Sequence, residues 1–386
     1  MLSSRPVAIV GVYATAQRRT LPGRTSTDLA IESVKGALTD AGLTTADVDG
    51  VAVDWAGPTG HIGYSTSWAR LLGHPIKYMT DSTQDNAGPE GVLKAAAAVS
   101  AGLCDVVVVG GGKAGRTAGP VAGGRNSGGG FEFMNLYGAH VMPQFALVAQ
   151  RHMYQFGTTP QQIASVAATI RNNGSINSEA VMHARGPYTV DDVLASRMVA
   201  SPLHLLECAI VAEGGAALVI TTLERARDLR HAPAMVLGGA MEYFQAGYVN
   251  PPLYREIGHI GRNAARRALD MGGVSVNDID VFCLYDPTAF EVIRQFEMLG
   301  LCGEGEGGPF VETGTIDLDG EFPVNPDGGT LAHSYVGTQQ MTLRVIEVVR
   351  QLRGSAVNQL DAPEVGIATV AGSGAQHIEL VVLGKG

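Results

Sequence analysis

The feature that most constrains the fold is an internal repeat. The segment ALTDAGLTTADVDGVAVD, residues 37–54, aligns without gaps with ALDMGGVSVNDIDVFCLY, residues 268–285. The matched pairs include Ala37/Ala268, Leu38/Leu269, Gly42/Gly273, Asp47/Asp278 and Asp49/Asp280. At so long a separation, duplication of a large unit explains the match better than chance similarity does. We therefore expect two halves with the same order of strands and helices.

A second stretch joins a polar loop, a helix of small residues and an apolar strand. Residues 88–100 include four consecutive alanines, so a helix here would be thin and would let neighbouring backbones approach closely. The valines of residues 104–109 do not alternate with polar residues, which is typical of a buried parallel strand. Backbone N–H groups at a helix N-terminus stabilise negative charge. We therefore expect a central helix, with the chemistry near Asp85.

The order of predicted elements agrees between the two halves. The predicted elements outside the middle of the chain are strand 6–12, helix 28–42, strand 51–53, helix 337–352 and strand 365–370. Ser26 or Thr27 would cap the first helix, and Gly42 would end it. Two such halves, residues 1–232 and 233–386, would place their central helices between two sheets. The expected architecture is a five-layer α/β sandwich.

The middle segment, from residue 113 to residue 232, is too long for a simple connection. Its glycine-rich sequence GPVAGGRNSGGG, residues 119–130, would wrap a ligand or form a surface loop. Two helices, 145–156 and 160–172, are predicted after it. Residues 202–220 are predicted to form a turn or helix and then an apolar strand that would extend the first sheet. We expect residues 113–200 to form a lid over the site.

Composition and charge exclude several classes of protein. The net charge of −10 argues against a nucleic-acid-binding surface. No apolar run reaches the length of a membrane span, so we expect no membrane insertion. The chain begins with a predicted strand, and we expect no targeting segment. A hydrophobic content of 45% in 386 residues is enough for an extensive core.

The cysteines indicate neither a metal site nor disulfides. The four are Cys104, Cys208, Cys283 and Cys302, and none lies in a CxxC spacing. Three of them fall inside apolar runs, which favours buried packing residues over reactive thiols. We expect no bound metal, and a reducing compartment, the cytoplasm.

Two motifs carry a resemblance to a known family. The sequence PLHLLECAIVAEGGAALVI, residues 202–220, is similar to the PL-x-LLD-x-x-x-x-(S/A)DGAAA signature of thiolases related to sterol carrier and lipid-transfer proteins. The sequence NPDGGTLAHSYVG, residues 325–337, resembles their N-x-x-GG…GHP-x-G loop. The resemblance covers the whole chain and implies the duplicated thiolase fold, a five-layer αβαβα sandwich with an inserted lid region. It also implies dimers and acyl-CoA substrates, with coenzyme A as part of the substrate and no separate cofactor.

The departures from the family's motifs remove its nucleophile. The family's catalytic cysteine begins a C-x-x-G turn, and Asp85 stands at that position here. Tyr285 matches the histidine of the family's H-D-C-F motif, and Val370 matches its second cysteine. Only the GHP loop keeps a histidine, His333. Tyr335 also lies in this motif, so the alignment of the loop can shift by one residue. Without a thiolate, acyl transfer through a covalent thioester is not expected.

Retro-aldol cleavage of a β-hydroxyacyl-CoA is a reaction that such a site can still support. It requires donors that stabilise the thioester enolate, a base for the hydroxyl and an acid for the enolate carbon. Thiolase-like proteins that lack the cysteines resemble the aldolases that shorten steroid side chains, releasing propionyl-CoA from a 17-hydroxy steroid acyl-CoA to leave a 17-ketosteroid. The resemblance further implies a homodimer and an OB-fold, zinc-ribbon partner that completes a heterotetramer.

The expected site residues follow from these matches. The catalytic candidates are Tyr335, Tyr285, His333 and Asp85, and the candidates for contact with the acyl-CoA are Gly372, Gly374, Tyr243 and Tyr248. A phenol with a pKa of about 10 is only about 0.1% ionised at neutral pH, so a catalytic tyrosine needs an environment that changes its acidity. Tyr335 is the favoured candidate, because it lies in a glycine-bounded loop with no evident packing requirement for an aromatic ring.

Each candidate also has a structural interpretation. Tyr285 could fill the space of the missing histidine, and Asp85 could cap the central helix. Asp286 could cap a helix at residues 288–299. The pair of tyrosines expected near the acyl group could line a sterol pocket or an interface. His377 and the Glu242–Tyr243 pair are weaker catalytic candidates.

Two other functions stay open at this level. The protein could be a non-catalytic subunit that binds acyl-CoA or lipid, or a thiolase-type acyltransferase. Convergence of Tyr285, Tyr335 and His333 on one pocket would favour the lyase over the binding subunit. For assembly, we expect an edge strand near residues 82–84 to pair across the two-fold axis of the dimer.

Overall fold

The computed structural model describes residues 4–53, 65–80, 87–115, 141–244, 260–337, 339–372 and 376–386. The strands are β1 (Val7–Ala14), β2 (Gly50–Val53), β3 (Tyr78–Thr80), β4 (Val106–Lys113), β5 (Met198–Ala200), β6 (Leu203–His204), β7 (Gly214–Thr222), β8 (Ala234–Tyr243), β9 (Val281–Cys283), β10 (Val365–Gly372) and β11 (His377–Lys385). The helices are α1 (Ser26–Ala41), α2 (Ser65–Leu72), α3 (Gly88–Ser100), α4 (Val141–Phe156), α5 (Pro160–Ile176), α6 (Val190–Ala195), α7 (Leu223–Ala226), α8 (Arg262–Gly272), α9 (Ala289–Leu299), α10 (Gly307–Val311) and α11 (Gln339–Arg353).

The main sheet is mixed and continuous across the two halves. Its strand order is β3-β2-β4-β7-β1-β8-β11-β10-β9, and β5 and β6 form a separate hairpin. The halves meet where β1 and β8 pair antiparallel over two residues each, Ala8–Ile9 with Ala234–Met235. The apolar strand predicted within residues 202–220 is β7. It joins the first sheet, as predicted, and lies between β4 and β1, antiparallel to both.

The two copies of the repeat fold in the same way. In the first copy, α1 ends at Gly42, whose φ is 72°, and a short 3₁₀ turn capped by Thr44 leads into β2. In the second copy, α8 ends at Gly273, whose φ is 65°, and a 3₁₀ turn capped by Ser275 leads into β9. Glycine suits both helix ends, because it adopts positive φ without a steric penalty.

A pair of matched carboxylates completes the correspondence. Asp49 accepts hydrogen bonds from the successive backbone N–H groups of Asp105 and Val106, where β4 begins. Asp280 accepts hydrogen bonds from the N–H groups of Glu364 and Val365, where β10 begins. The same side chain therefore fixes the neighbouring parallel strand in both halves. These shared details confirm the duplicated fold.

The core forms layers on both sides of the strands. Along β1, Val7 and Ile9 belong to the cluster around α3 and α11, whereas Ala8 and Val10 pack against α1 on the opposite face. Helices α3 and α11 contact each other and strands of both halves, and α8 covers β8 and β11. The order is thus helix, strands, central helices, strands, helix. This is the predicted five-layer sandwich.

Most predicted boundaries move by a few residues, and the cap of α1 differs. The cap is Thr25, whose hydroxyl accepts from the Asp28 N–H while the Asp28 carboxylate accepts from the Thr25 N–H. This reciprocal pair places the first turn at Ser26, which is why neither Ser26 nor Thr27 is the cap.

Among the described helices, none combines the length and apolar character needed to cross a bilayer.

Part of the predicted lid lies in the described residues. Helices α4 and α5 pack against α9, and α5 also contacts the turn Gly329–His333. The glycine-rich segment 119–130, the edge strand near residues 82–84 and the candidates Asp85, Tyr248 and Gly374 lie outside the described residues.

Candidate active site

Tyr285 lies where the two central helices begin. It follows β9, is 2% exposed, and forms a small buried cluster with Ala87, Met341 and Val370. Ala87 is the N-terminal cap of α3, and Met341 is in the first turn of α11. The structure therefore brings together the helix ends and two positions where the sequence departs from the thiolase motifs, Tyr285 and Val370.

The Tyr285 side chain is held by a polar contact as well as by packing. Gln340 of α11 donates a hydrogen bond from Nε2 to the Tyr285 hydroxyl at 3.0 Å. The Tyr285 backbone is also fixed, since its N–H donates to Thr369 Oγ1 at 3.2 Å and its carbonyl accepts from Gln295 Nε2 at 2.7 Å. The two backbone bonds would form with any residue here, but the Gln340 contact is specific to the hydroxyl and holds it in a defined position.

Asp286 fastens the loop that carries His333, and it is not a helix cap. Its carboxylate accepts from the backbone N–H of Thr330 at 2.8 Å and of Leu331 at 3.2 Å. The cap position of α9 is Thr288, which makes no capping bond through its side chain. Burial raises the pKa of Asp286 to about 6, against the opposing effect of the Arg344 cation. The interpretation of Asp286 as an N-cap is therefore wrong.

His333 ends a buried π-helical turn, Gly329–His333, that begins with two glycines at positive φ. Gly328 and Gly329 have φ values of 100° and 59°, and a Cβ at Gly329 would lie 2.0 Å from Asp286 Oδ2. Only glycine allows this close contact at positive φ. The turn and the Asp286 carboxylate therefore fit together as one unit, directly next to Tyr285 in the chain.

Asp327 joins His333 to the central helix α11. Its Oδ2 lies 2.6 Å from His333 Nδ1, and Arg344 binds both of its oxygens, at 2.7 Å and 2.6 Å. Burial alone would raise the pKa of Asp327, but Arg344 and His333 hold that pKa well below its usual range. The opposite ring nitrogen, His333 Nε2, is buried and has no hydrogen-bond partner among the described residues.

Tyr335 lies two residues further on, at the rim of this region. It is half-buried, and its backbone bonds to both sides of Val211, donating to the Ile210 carbonyl at 3.1 Å and accepting from the Ala212 N–H at 2.9 Å. Lys113 Nζ lies 5.7 Å from the centre of its ring. The loop is thus less open than the sequence indicates, because a backbone bridge anchors it and a cation faces the phenol.

The described acyl-CoA candidates lie at one end of the second half's strands. Tyr243 ends β8 and stacks on His377 of β11, with ring centroids 5.7 Å apart, and its hydroxyl donates to Glu379 at 2.8 Å. Gly372 pairs with His377, and a Cβ at Gly372 would lie 2.1 Å from the imidazole ring. Burial, assisted by the Arg294 cation, lowers the pKa of His377 to about 4. This imidazole is therefore neutral near pH 7.

Glu242 and the four cysteines lie in packed or hydrogen-bonded surroundings. The Glu242 carboxylate accepts from the Ala264 N–H in the first turn of α8, which is a structural capping role. All four cysteines have a raised pKa because of burial, to about 12 for Cys104, Cys208 and Cys302 and well above its usual range for Cys283. No cysteine of the chain is therefore a thiolate nucleophile near neutral pH.

Sequence reasoning missed the residues that hold the candidates in place. Asp327 lies inside the NPDGG motif but carries no catalytic signature, while Arg344 and Gln340 sit on a helix that is otherwise read as a packing element. A charged residue on a helix predicted to be buried on all sides is the one signal that could have indicated Arg344. Its partner could not be identified without the fold.

The five layers and the cluster at the start of the central helices define a thiolase-like protein. Residues 259–385 match the family model for the thiolase C-terminal domain-like family. The chain is 31% identical to a steroid side-chain-cleaving aldolase of Thermomonospora curvata over 97% of both chains. It is 32% identical to a 17-hydroxy-3-oxo-4-pregnene-20-carboxyl-CoA lyase of Mycobacterium tuberculosis, over 99% of this chain and 100% of that one.

A solved structure gives the same result. The structure described as the Ltp2-ChsH2(DUF35) aldolase aligns with 100% of this chain and 99% of its own at a TM-score of 0.86 and 29% identity. The chain belongs to the thiolase superfamily, as a thiolase-like member without the family's cysteines at the aligned positions. Its relatives named above are a side-chain-cleaving aldolase and a CoA lyase.

Proposed function

We propose that this protein is a carbon–carbon lyase, an aldolase that cleaves the side chain of a β-hydroxyacyl-CoA. The observation that carries the proposal is the Tyr285 cluster. Tyrosine and valine stand there where thiolases have histidine and cysteine, and the start of both central helices is retained beside them. A site without a thiolate cannot form a thioester with the enzyme, but it can still stabilise an enolate.

The reaction balances without any further reactant. A base removes the proton from the β-hydroxyl group, the Cα–Cβ bond breaks, and the β-carbon leaves as a ketone. The electron pair of the broken bond enters the thioester as an enolate. An acid then protonates the α-carbon, which gives the shorter acyl-CoA. Tyr335 and Tyr285 are the proposed proton-transfer groups, with His333 as the supporting acceptor. Asp85 remains a predicted catalytic residue.

The proposed substrate is a 17-hydroxy steroid acyl-CoA, cleaved to a 17-ketosteroid and propionyl-CoA. Support comes from the names of the two relatives, which are a steroid side-chain-cleaving aldolase and a pregnene-carboxyl-CoA lyase. Tyr243 offers a half-exposed aromatic face, 49% accessible, at the strand ends where an apolar acyl group or the thioester could bind. Gly372 lets the His377 ring pack against its backbone, and Gly372, Tyr248 and Gly374 remain predicted contacts.

The protein is proposed to act as a complex. The solved relative is an aldolase described with the DUF35 protein ChsH2, which supports a partner protein here. The expected OB-fold and zinc ribbon of that partner, the homodimer and the heterotetramer belong to the same proposal. Strand β3 lies at an edge of the described sheet, where pairing with a second copy would cover it. The cytoplasmic location remains a prediction.

The test is incubation of the protein and its partner with a 17-hydroxy steroid acyl-CoA. Release of the 17-ketosteroid and propionyl-CoA in equal amounts is the expected result. Binding of the thioester without any product would instead identify a binding subunit. Dependence on free coenzyme A, with transfer of an acyl group to it, would identify an acyltransferase.

A further inference from the structure

The contacts of Asp327 determine where the proton of His333 lies. An ionised carboxylate only accepts hydrogen bonds, so the 2.6 Å contact between Asp327 Oδ2 and His333 Nδ1 requires the proton on Nδ1. In the neutral ring, the other nitrogen is then an acceptor. His333 Nε2 is buried without a partner among the described residues, so it can receive a hydrogen bond from a ligand without first giving up one within the protein.

Arg344 balances the charge of Asp327. Arg344 is fully buried and binds both oxygens of Asp327, so the two form a neutral pair before His333 is considered. Without this guanidinium, the unpaired carboxylate would favour an imidazolium, which has no acceptor. The other ionisable groups that interact with this pair are Asp286, Glu347 and Cys283. Within the part of the chain that the structure describes, Arg344 acts on all three, and Arg350 also acts on Glu347.

We infer that Asp327 and Arg344 are positioning residues that hold His333 as the neutral Nδ1–H tautomer, with Nε2 as an acceptor for the β-hydroxyl of the substrate. The inference rests on the proposed function and specifies one of its contacts. The turn that carries His333 is bound to Asp286, the neighbour of Tyr285, so the acceptor belongs to the same part of the molecule as the phenol. Asp327 and Arg344 themselves do not contact the substrate in this arrangement.

The first experiment reads the tautomer directly. The complex is prepared with ¹⁵N-labelled histidine, and His333→Gln identifies the signals of His333. In the wild-type protein, a protonated Nδ1 and an unprotonated Nε2 near pH 7 are expected. In Asp327→Asn the amide can also donate, so the second tautomer should become populated. An imidazolium or the Nε2–H tautomer in the wild-type protein would overturn the inference.

The second experiment reads activity. Asp327→Asn should lower kcat by about a hundredfold or more with KM changed less than threefold, since proton transfer is affected and binding is not. Arg344→Gln should move the acidic limb of the rate–pH profile to higher pH, because the buried carboxylate of Asp327, now without its cation, favours the protonated ring. The double variant Asp327→Asn/Arg344→Gln removes both buried charges. Its kcat and rate–pH profile are measured in place of those of any single variant that does not fold.

The matched control is Arg353→Gln. Arg353 is a mostly buried arginine on the same helix, paired with Asp40 at 2.9 Å and away from His333. The rate–pH profile of Arg353→Gln should equal that of the wild-type protein. Unchanged kcat and an unchanged profile in the Asp327 and Arg344 variants would overturn the positioning role. Loss of cleavage in the wild-type complex would refute the proposed function instead, and the tautomer measurement would still stand.

Discussion

The two candidate tyrosines have different surroundings, and this difference bears on their proposed roles. Tyr285 is buried and its hydroxyl accepts from Gln340, whereas Tyr335 is half-buried with the Lys113 ammonium near its ring. A nearby positive charge favours the charged form of an acidic group, and burial disfavours it. Of the two proposed proton-transfer groups, we therefore expect Tyr335 to exchange a proton more readily than Tyr285.

Tyr335→Phe should abolish most of the cleavage and preserve binding. The change removes one hydroxyl and leaves the backbone bridge to Ile210 and Ala212, so the melting temperature should stay within a few degrees. Loss of a general acid or base lowers the rate by about a hundredfold to ten-thousandfold. Steady-state rates and acyl-CoA affinity of the complex measure both effects. A rate within about threefold of the wild type, far above this range, would make Tyr335 a packing residue.

At the scale of elements, the π-helical turn Gly329–His333 is the piece on which the site depends. Its backbone N–H groups bind Asp286, the neighbour of Tyr285. Its His333 imidazole contacts Asp327, which in turn pairs with Arg344. Helix α11 contributes Gln340 to Tyr285 and Arg344 to Asp327, so a single helix orients both candidates. Displacement of this turn should therefore affect both of them together.

Gly329→Ala tests this dependence. The new Cβ would lie 2.0 Å from Asp286 Oδ2 at a φ of 59°, so the turn has to move. We expect destabilisation on the order of 1–3 kcal/mol and loss of cleavage. Gly354→Ala is the matched control, because its φ is 70° but nothing lies within 4 Å of the added Cβ. Cleavage by Gly329→Ala at the rate of Gly354→Ala would show that the turn is not required.

The elements show which parts of the fold a sequence can predict. The repeat, the small-residue helix α3 and the strand β10 follow local patterns, and each could be predicted to within a few residues. Tyr285 and Val370 could be placed at the site because they replace residues of known motifs. The contacts of Asp327 with Arg344, and of Asp286 with Thr330, join segments through the tertiary fold. Neither pair has a periodicity or spacing from which it could be predicted.

At the scale of the whole molecule, buried carboxyl groups in the second half link stability to pH. Burial, with the charge of Asp327, raises the pKa of Glu347 to about 7 from 4.5. The folded protein therefore binds a proton more tightly than the unfolded chain does. The stabilisation that this proton brings is complete below about pH 4.5 and is lost as the pH rises to about 7. Other groups, such as His377, titrate in the same range with the opposite sign.

Glu347→Gln isolates this contribution, because the amide does not titrate and can still accept from Gln351, whose Nε2 lies 2.8 Å from Glu347 Oε1. The difference in melting temperature, variant minus wild type, should increase between pH 4.5 and 7 and stay constant above that range. The pKa shift of Glu347 corresponds to a change in the free energy of unfolding on the order of 3 kcal/mol between the ends of this pH range. Such a change moves the melting temperature by several degrees.

Asp270→Asn provides the reference for this measurement. The Asp270 side chain is 69% exposed and lies 3.8 Å from its partner Arg266, so removing its charge should leave the pH dependence of melting unchanged. Thermal unfolding of all three proteins, recorded at the same ionic strength from pH 4 to pH 8, gives the comparison. If Glu347→Gln and wild type melt in parallel across the range, Glu347 is ionised in the folded protein. The buried cluster around Arg344 would then carry one more negative charge than its geometry indicates, and the neutral state inferred for His333 would need another source of positive charge.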